Sequence, residues 1–330
     1  MGSDNKPAKA GPLHRVATFL ALSFWIFGLL FMSLWWIVDL FLLPRWPLLA
    51  VSMLTFKVLL LAAPLSIEPP SFVQRFLRFS MVAAGDYFPV TIVWEGEEAD
   101  YEKGPFVIGY EPHSVLPQGI CVFCPYSADV VPAGLKDTRI LVSSAGFWAP
   151  VMRHMWWWLG CRPVSRQCFQ TLLRKGRSVA VCPGGVKECI YMQRGQEVAY
   201  LRKRHGFVRL ALQAGAPLVP VFCFGQTDLY SYCRLFFDWP KHLIPRAQWA
   251  SFVRRIGYVP MLVWGWCGSF MPKQVPMYIV VGKPIAVPRI EEPSQEQVQE
   301  YLDKFIASME RLFREHKKAA GHESAMLTIY

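Results

Sequence analysis

The chain has 330 residues, of which 53% are hydrophobic, 15% aromatic and only 18% charged, with a formal net charge of +11. So much apolar side chain with so little charge excludes a disordered, collagen-like or charged coiled-coil protein, and exceeds what a soluble core needs. The length admits one large domain or two ordinary ones, and the basic excess suits nucleic acid, anionic lipid or a phosphorylated ligand.

In chain order, residues 1–15 form a short basic tail carrying Lys6, Lys9, His14 and Arg15. Residues 16–38 then run for 23 positions without a charge. That matches the ~20 apolar residues a bilayer core accommodates. A secretory signal has a shorter apolar core, roughly 7–15 residues, and a small-residue cleavage site, so this run is expected to be a retained anchor. Pro44 and Pro47 mark a turn. Residues 48–67 are again apolar, interrupted by Lys57. A central lysine costs about 2.5–3.5 kcal/mol on insertion scales, so this second run is expected to be tilted, re-entrant or shallow with Lys57 snorkelling. Residues 16–67 thus predict a membrane helical hairpin, transmembrane or monotopic. The basic flank before it predicts a cytoplasmic N-terminus, and a full hairpin returns the chain to the same side.

Residues 68–330 read as one domain. Short apolar runs at 105–110, 139–143, 178–182, 217–224 and 277–281 predict strands, and 167–176 and 205–214 predict helices between them. Strands alternating with helices predict an α/β fold with a mostly parallel sheet flanked by helices. In residues 294–316 the apolar side chains Val298, Tyr301, Leu302, Phe305, Ile306, Met309, Leu312 and Phe313 follow helical spacing, and Ser294 with Gln297 makes a capping box. This predicts an amphipathic helix packed on the domain. The nine cysteines include one C-x2-C pair, Cys121 and Cys124, and a single pair does not make a zinc site. Nothing resembles a secreted disulfide framework, so the chain reads as facing a reducing compartment.

Four clusters carry chemistry. Tyr110-Glu111-Pro112-His113-Ser114 closes the 105–110 strand, and Pro112 stops further pairing. His113 then lies beyond a strand's C-terminal edge, where α/β folds place ligands, with a pKa suited to a general base. Glu111, two residues earlier, points to the same side of an extended backbone. Cys182-Pro183-Gly184-Gly185-Val186-Lys187-Glu188 also follows a strand; its glycines let backbone N–H groups face an oxyanion. Arg162-Pro163-Val164-Ser165-Arg166 and Arg202-Lys203-Arg204-His205 lie in the segment 162–209, which holds eleven Lys or Arg against Glu188 and Glu197 alone. Arginine suits phosphate. The segment has no helix-in-groove or stacking-sheet signature, so a nucleic-acid partner is not expected.

These blocks, in this order and over residues 16–320, resemble the type-2 diacylglycerol acyltransferase family, which also contains monoacylglycerol and wax-alcohol acyltransferases. Tyr87-Phe88-Pro89 matches its YFP block, Glu111-Pro112-His113-Ser114 the variant of its His-Pro-His-Gly block seen in plant and green-algal members, Pro163–Arg166 its Pro-x-x-Arg, and 183–188 its Gly-Gly-x-x-Glu. Arg204–Ala211, Val219–Gly225 and Gly282-Lys283-Pro284-Ile285 match later blocks. The resemblance implies a glycerol-phosphate-acyltransferase-like fold. It implies an acyl-CoA:diacylglycerol O-acyltransferase making triacylglycerol at the endoplasmic reticulum membrane, with the catalytic domain on the cytoplasmic side and lipid-droplet surfaces as a second location. Monoacylglycerol or a long-chain alcohol is the alternative acceptor, and a non-catalytic lipid-droplet scaffold the alternative of another class.

The roles implied are His113 as general base, Gly184 and Gly185 as oxyanion donors, and Arg162, Arg166, Arg174, Lys175 and Arg204 for the coenzyme A phosphates, with Lys187 a further substrate-binding candidate. Tyr87, Phe88, Pro89 and Ser114 are further substrate-binding candidates, Ser114 also a candidate acyl-enzyme nucleophile. Glycerol-phosphate acyltransferases carry His-x4-Asp, but Gln118 stands at that position here. Either Glu188, favoured by the family match, or Glu111 orients His113, or no carboxylate does. No metal or cofactor is implied; acyl-CoA is a substrate. Partners are acyl-CoA, diacylglycerol and membrane lipid, with a homo-oligomer left open. The uncharged stretch 256–271 is too short to span and holds Pro260; it is expected to dip into the membrane or line an acyl tunnel.

Overall fold

A computed structural model describes residues 11–235, 237–238, 245–256 and 259–330. Lys6 and Lys9 of the expected tail lie outside the described residues, as do residues 257–258 of the stretch 256–271 and the side chains of residues 29–33. The helices are α1 Pro12–Leu42, α2 Pro47–Ala62, α3 Ser71–Tyr87, α4 Met152–Trp158, α5 Arg166–Arg174, α6 Val186–Tyr191, α7 His205–Ala214, α8 Arg246–Ile256 and α9 Gln295–His316. The strands are β1 Val90–Trp94, β2 Val107–Glu111, β3 Arg139–Val142, β4 Cys161–Pro163, β5 Val179–Val181, β6 Glu197–Ala199, β7 Leu218–Phe224, β8 Ser231–Arg234, β9 Met261–Trp264, β10 Met277–Val281 and β11 Leu327–Ile329.

Seven strands form one sheet in the order β1-β10-β7-β2-β5-β3-β4. Every pairing in it is parallel except β10 with β7. The mostly parallel α/β sheet expected from the sequence is therefore present, with β2 near its centre. Alternation along the strands splits the core between the two faces. Ile108, Tyr110, Val219, Val221 and Ile279 point to one face; Val107, Leu218, Phe222 and Val280 point to the other, where α5, α7 and α9 cover them. Gly109 has no side chain because a Cβ there would overlap the Phe305 ring of α9. The capping box closes as expected: Gln297 N–H donates to Ser294 Oγ at 3.2 Å, and Ser294 N–H to Gln297 Oε1 at 2.9 Å. Val298, Leu302, Phe305, Ile306, Met309, Leu312 and Phe313 are buried, which places α9 on the domain.

The N-terminal hairpin differs from expectation at its lysine. Pro12 and Pro47 open α1 and α2 at positions where the missing N–H costs nothing. Lys57 does not snorkel. It is fully buried and donates to Asp39 Oδ2 and to the Trp35 carbonyl, both at 2.6 Å, with the Trp35 ring 4.6 Å away. The charge that ends the first apolar run is thus the partner of the charge inside the second, and the ion pair ties the two helices together. Among the described residues no helix is long and apolar enough to cross a membrane. The hairpin also packs on the domain: Phe24 meets Phe76 of α3 at 5.0 Å and Trp25 meets Trp156 of α4 at 5.4 Å. Asp39→Ala strands the Lys57 ammonium among apolar groups, which costs about 3–5 kcal/mol. The variant is expected to melt well below the wild type in detergent, and Asp39→Ala/Lys57→Met to recover most of the loss; equal melting of wild type and Asp39→Ala would show the pair is not stabilising.

The stretch 256–271 supplies β9, antiparallel to β8, then a single 3-10 turn at Trp266–Gly268, broken by Cys267 at φ 49°, that lies against α1. Phe19 faces Trp266, and Phe27 faces Phe270, each at 6.3 Å. Six strands, β1, β4, β6, β8, β9 and β11, escape sequence reading; all are five residues or shorter, too short to show a clear period.

Candidate active site

The centre of the site lies where β2 and β5 end. Glu111 is the last residue of β2 and is fully buried. The chain then passes through Pro112 and His113 to Ser114, which takes a positive φ of 53°, a conformation that costs a non-glycine residue and persists only where its surroundings hold it. Two buried side chains do so. Glu188 Oε1 accepts from His113 N–H at 2.5 Å and from Ser114 N–H at 3.2 Å. Gln226, following β7, donates through Nε2 to the Pro112 carbonyl, and its Oε1 accepts from Tyr110 Oη at 2.6 Å and Gly119 N–H at 3.0 Å.

The paired glycines have separate reasons. A Cβ on Gly184 would overlap Glu188 Oε2, so only glycine lets that carboxyl sit there. Gly185 precedes α6 at φ 53° and ψ −146°, a region in practice reserved for glycine. Gly184 N–H donates to Glu111 Oε1 at 3.0 Å. Burial, and then the charge of the neighbouring Glu188, push the Glu111 pKa well above the carboxylate range. Between them the two carboxyls staple the histidine loop to the glycine turn. Arg204 donates to the Gly184 carbonyl and sets a positive charge behind the pair.

Neither carboxylate reaches the His113 ring through a hydrogen bond in the described residues. Glu188 holds the histidine by its backbone amide, and Glu111 lies one step removed. The ring Nδ1 faces the Ser114 carbonyl at 2.9 Å and Cys189 Sγ at 3.4 Å. A carbonyl only accepts, so in the neutral ring Nδ1 carries the proton and Nε2 the lone pair. Burial works against the charged ring, but Cys189, Glu188 and the Ser114 carbonyl outweigh it and raise the His113 pKa to about 9. Gln118 is directed elsewhere, donating to Tyr230 Oη at 3.3 Å. The Ser114 hydroxyl points to the Gln226 carbonyl at 3.5 Å, not to the ring, which leaves it poorly placed as a nucleophile.

The expected cationic groups divide. Arg204 and Lys187 flank the Tyr200 ring at 5.3 and 5.4 Å, beside the glycine turn. Arg162 is in β4, three strands from β2; its guanidinium lies 3.6 Å over Trp157 and donates to the carbonyls of Trp157 and Cys161. Burial, and Arg139 beside it, lower its pKa to about 10. Arg166 opens α5 next to it. The Tyr87-Phe88-Pro89 block sits at the opposite part of the sheet, joining α3 to β1. Phe88 is in the core, Tyr87 Oη donates to the Pro272 carbonyl at 2.7 Å, and the Pro89 carbonyl accepts from Met277. Cys189, Gln226 and Tyr200 were not singled out from the sequence. Gln226 follows a central strand as His113 does, and that position was the available signal.

The model of the diacylglycerol acyltransferase family matches residues 39–329, and the chain belongs to that family. It is 31% identical over 264 residues to diacylglycerol O-acyltransferase 2 of Xenopus tropicalis, covering 74% of this chain and 69% of that one. It is 33% identical over 253 residues to 2-acylglycerol O-acyltransferase 3 of Homo sapiens, covering 72% and 71%. Diacylglycerol O-acyltransferase 2B of Umbelopsis ramanniana is 32% identical over 249 residues, covering 70% and 68%. Among solved structures, the 1-acyl-sn-glycerophosphate acyltransferase PlsC of Thermotoga maritima aligns with 91% of this chain and 96% of its own at a TM-score of 0.41 and 13% identity.

Proposed function

We propose that this chain is an acyl-CoA:diacylglycerol O-acyltransferase in which His113 Nε2 takes the proton of the acceptor hydroxyl. The observation that carries the mechanism is the Nδ1 contact to the Ser114 carbonyl, which leaves Nε2 as the basic nitrogen of a half-buried ring at a strand end. The hydroxyl oxygen attacks the thioester carbonyl as its proton passes to Nε2. The tetrahedral oxyanion needs a donor, and removing one such donor costs about 3 kcal/mol in related chemistry. Gly184 N–H is already committed to Glu111, so the oxyanion is assigned to Gly185 N–H. The intermediate collapses with loss of the coenzyme A thiolate, which recovers the proton from His113. A thiolate leaves readily, so one base suffices.

Microsomes containing the protein, supplied with labelled acyl-CoA and either diacylglycerol, 2-monoacylglycerol or a long-chain alcohol, test this by product class. Triacylglycerol from diacylglycerol is expected. Diacylglycerol from 2-monoacylglycerol with no triacylglycerol would assign the chain to the monoacylglycerol reaction, and no transfer to any acceptor would leave the scaffold reading.

Arg204 and Lys187 are assigned to the coenzyme A phosphates because they lie beside the glycine turn. Lys187→Gln is expected to raise the acyl-CoA KM about tenfold, the worth of one charge-assisted contact, and Arg162→Gln to leave it unchanged. The reverse ranking would move the phosphate site to β4.

The hairpin is assigned a monotopic seat in the cytoplasmic leaflet of the endoplasmic reticulum, or on a lipid droplet. Leu13, Leu20, Leu40, Phe41, Leu48 and Leu59 are exposed along α1 and α2, an apolar surface that water would not tolerate at this extent. Both chain ends and His113 then share one side. Tags at either end should be digested by protease in intact microsomes; a C-terminal tag protected until detergent is added would sink this topology.

A further inference from the structure

Cys189 has no part in the reaction as written, yet its sulfur lies against the non-reacting edge of the His113 ring. It is 4% exposed, on α6 directly after Glu188. Its sulfur lies 3.4 Å from His113 Nδ1 and donates to the Ser114 carbonyl at 3.2 Å, while Nδ1 lies 2.9 Å from the same oxygen. The three atoms form a closed triangle in which the carbonyl's two lone pairs receive one N–H and one S–H. That carbonyl belongs to the residue at φ 53°, so its direction is not a default of the backbone. It is set by Glu188 from the amide side and by Cys189 from the oxygen side.

The geometry points to Cys189 as the positioning residue of His113: its thiol fixes the Ser114 carbonyl against Nδ1 and so holds the ring in the tautomer that presents Nε2 to the acceptor hydroxyl. This takes over the duty that an aspartate performs where a His-x4-Asp pair exists, a position occupied here by Gln118, which is turned towards Tyr230. A neutral backbone carbonyl is a weaker orienter than a carboxylate, and a second donor on it limits its rotation. The groups facing the ring are Cys189 and Glu188 from α6 and the Ser114 carbonyl from the loop, with the Glu111 carboxyl and Arg204 beyond Gly184. Of these, Cys189 alone touches both Nδ1 and the carbonyl that orients it.

The inference rests on His113 acting as the base, and the test separates the two. Cys189→Ala, Cys189→Ser, Cys189→Val and His113→Ala are assayed at equal membrane-protein amounts across pH 6–10. Misplacing a reacting group by about 1 Å costs up to ~10²-fold. Cys189→Ala should therefore lose between about tenfold and 10²-fold in kcat with the KM for both substrates kept, and its pH–rate limb should move to lower pH. Cys189→Ser keeps a donor to the Ser114 carbonyl and should restore most of kcat. Unchanged kcat and limb in Cys189→Ala, with His113→Ala inactive, would overturn the positioning role and spare the base. Rescue by valine but not serine would make Cys189 a packing residue and equally overturn it. Near-wild-type turnover in His113→Ala would remove the base and the inference with it.

Discussion

His113→Ala is expected to lose about 10²–10⁴-fold in transferase activity, the usual worth of a general base, while the protein still accumulates to wild-type amounts. The ring is half-buried and its hydrogen bonds run to the Ser114 carbonyl and Cys189, so its removal leaves the clamp by Glu188 and Gln226 intact. Turnover close to the wild type would eliminate the mechanism. The wild-type pH dependence has a defined sign. The base must be neutral, and the folded-state pKa stands at about 9, so kcat/KM should rise from pH 7 and level off above about 9. Stability runs the other way. A histidine with a raised pKa contributes stability fully below its ordinary value near 6.5, and that contribution is lost as pH rises through the folded pKa. The enzyme should thus gain rate and lose some stability over the same interval. A kcat/KM already flat from pH 6.5 upward would contradict the environment described for the ring.

Glu188→Ala should be nearly as damaging to activity and, unlike His113→Ala, should also destabilise the protein. It removes the acceptor for two buried backbone N–H groups, His113 and Ser114, each costing about 1–3 kcal/mol when left unsatisfied. It also releases Ser114 from its positive φ. Glu188→Gln separates shape from charge. The amide oxygen keeps both backbone acceptances, so the fold should hold. The negative charge that helps raise the His113 pKa is gone, so the rising limb should shift to lower pH. Thermal melting of the two variants in detergent, with pH–rate profiles, distinguishes these outcomes. Equal melting of Glu188→Ala and wild type would show that the carboxyl is not the clamp described here.

Lys57 and Asp39 illustrate the limit of reading in sequence. A lone lysine inside an apolar run suggests a polar tip escaping to water, because sequence shows the cost of burial but not a partner eighteen positions back. Helix pairing brought that partner within 2.6 Å. Arg162 and Arg204 illustrate the same limit in a charged cluster. Both are arginines in one basic segment, and only strand order separates one stacked on Trp157 in β4 from one bonded to the glycine turn.

Composition, period and block order by themselves determined the α/β class, five strands of the central sheet, the amphipathic C-terminal helix, the two-helix hairpin and the family. These depend on side-chain patterning along a local stretch or on residue identities at set spacing, both of which a linear sequence displays in full. Only the tertiary structure decided which groups surround His113. Glu188, Cys189 and Gln226 reach the loop from 75 or more residues away. The orienting contact is to a backbone carbonyl, which every residue possesses and no sequence can single out. Its direction follows from the backbone angle of Ser114, set by hydrogen bonds across the sheet's C-terminal edge, where α6 and the turn after β7 meet the end of β2.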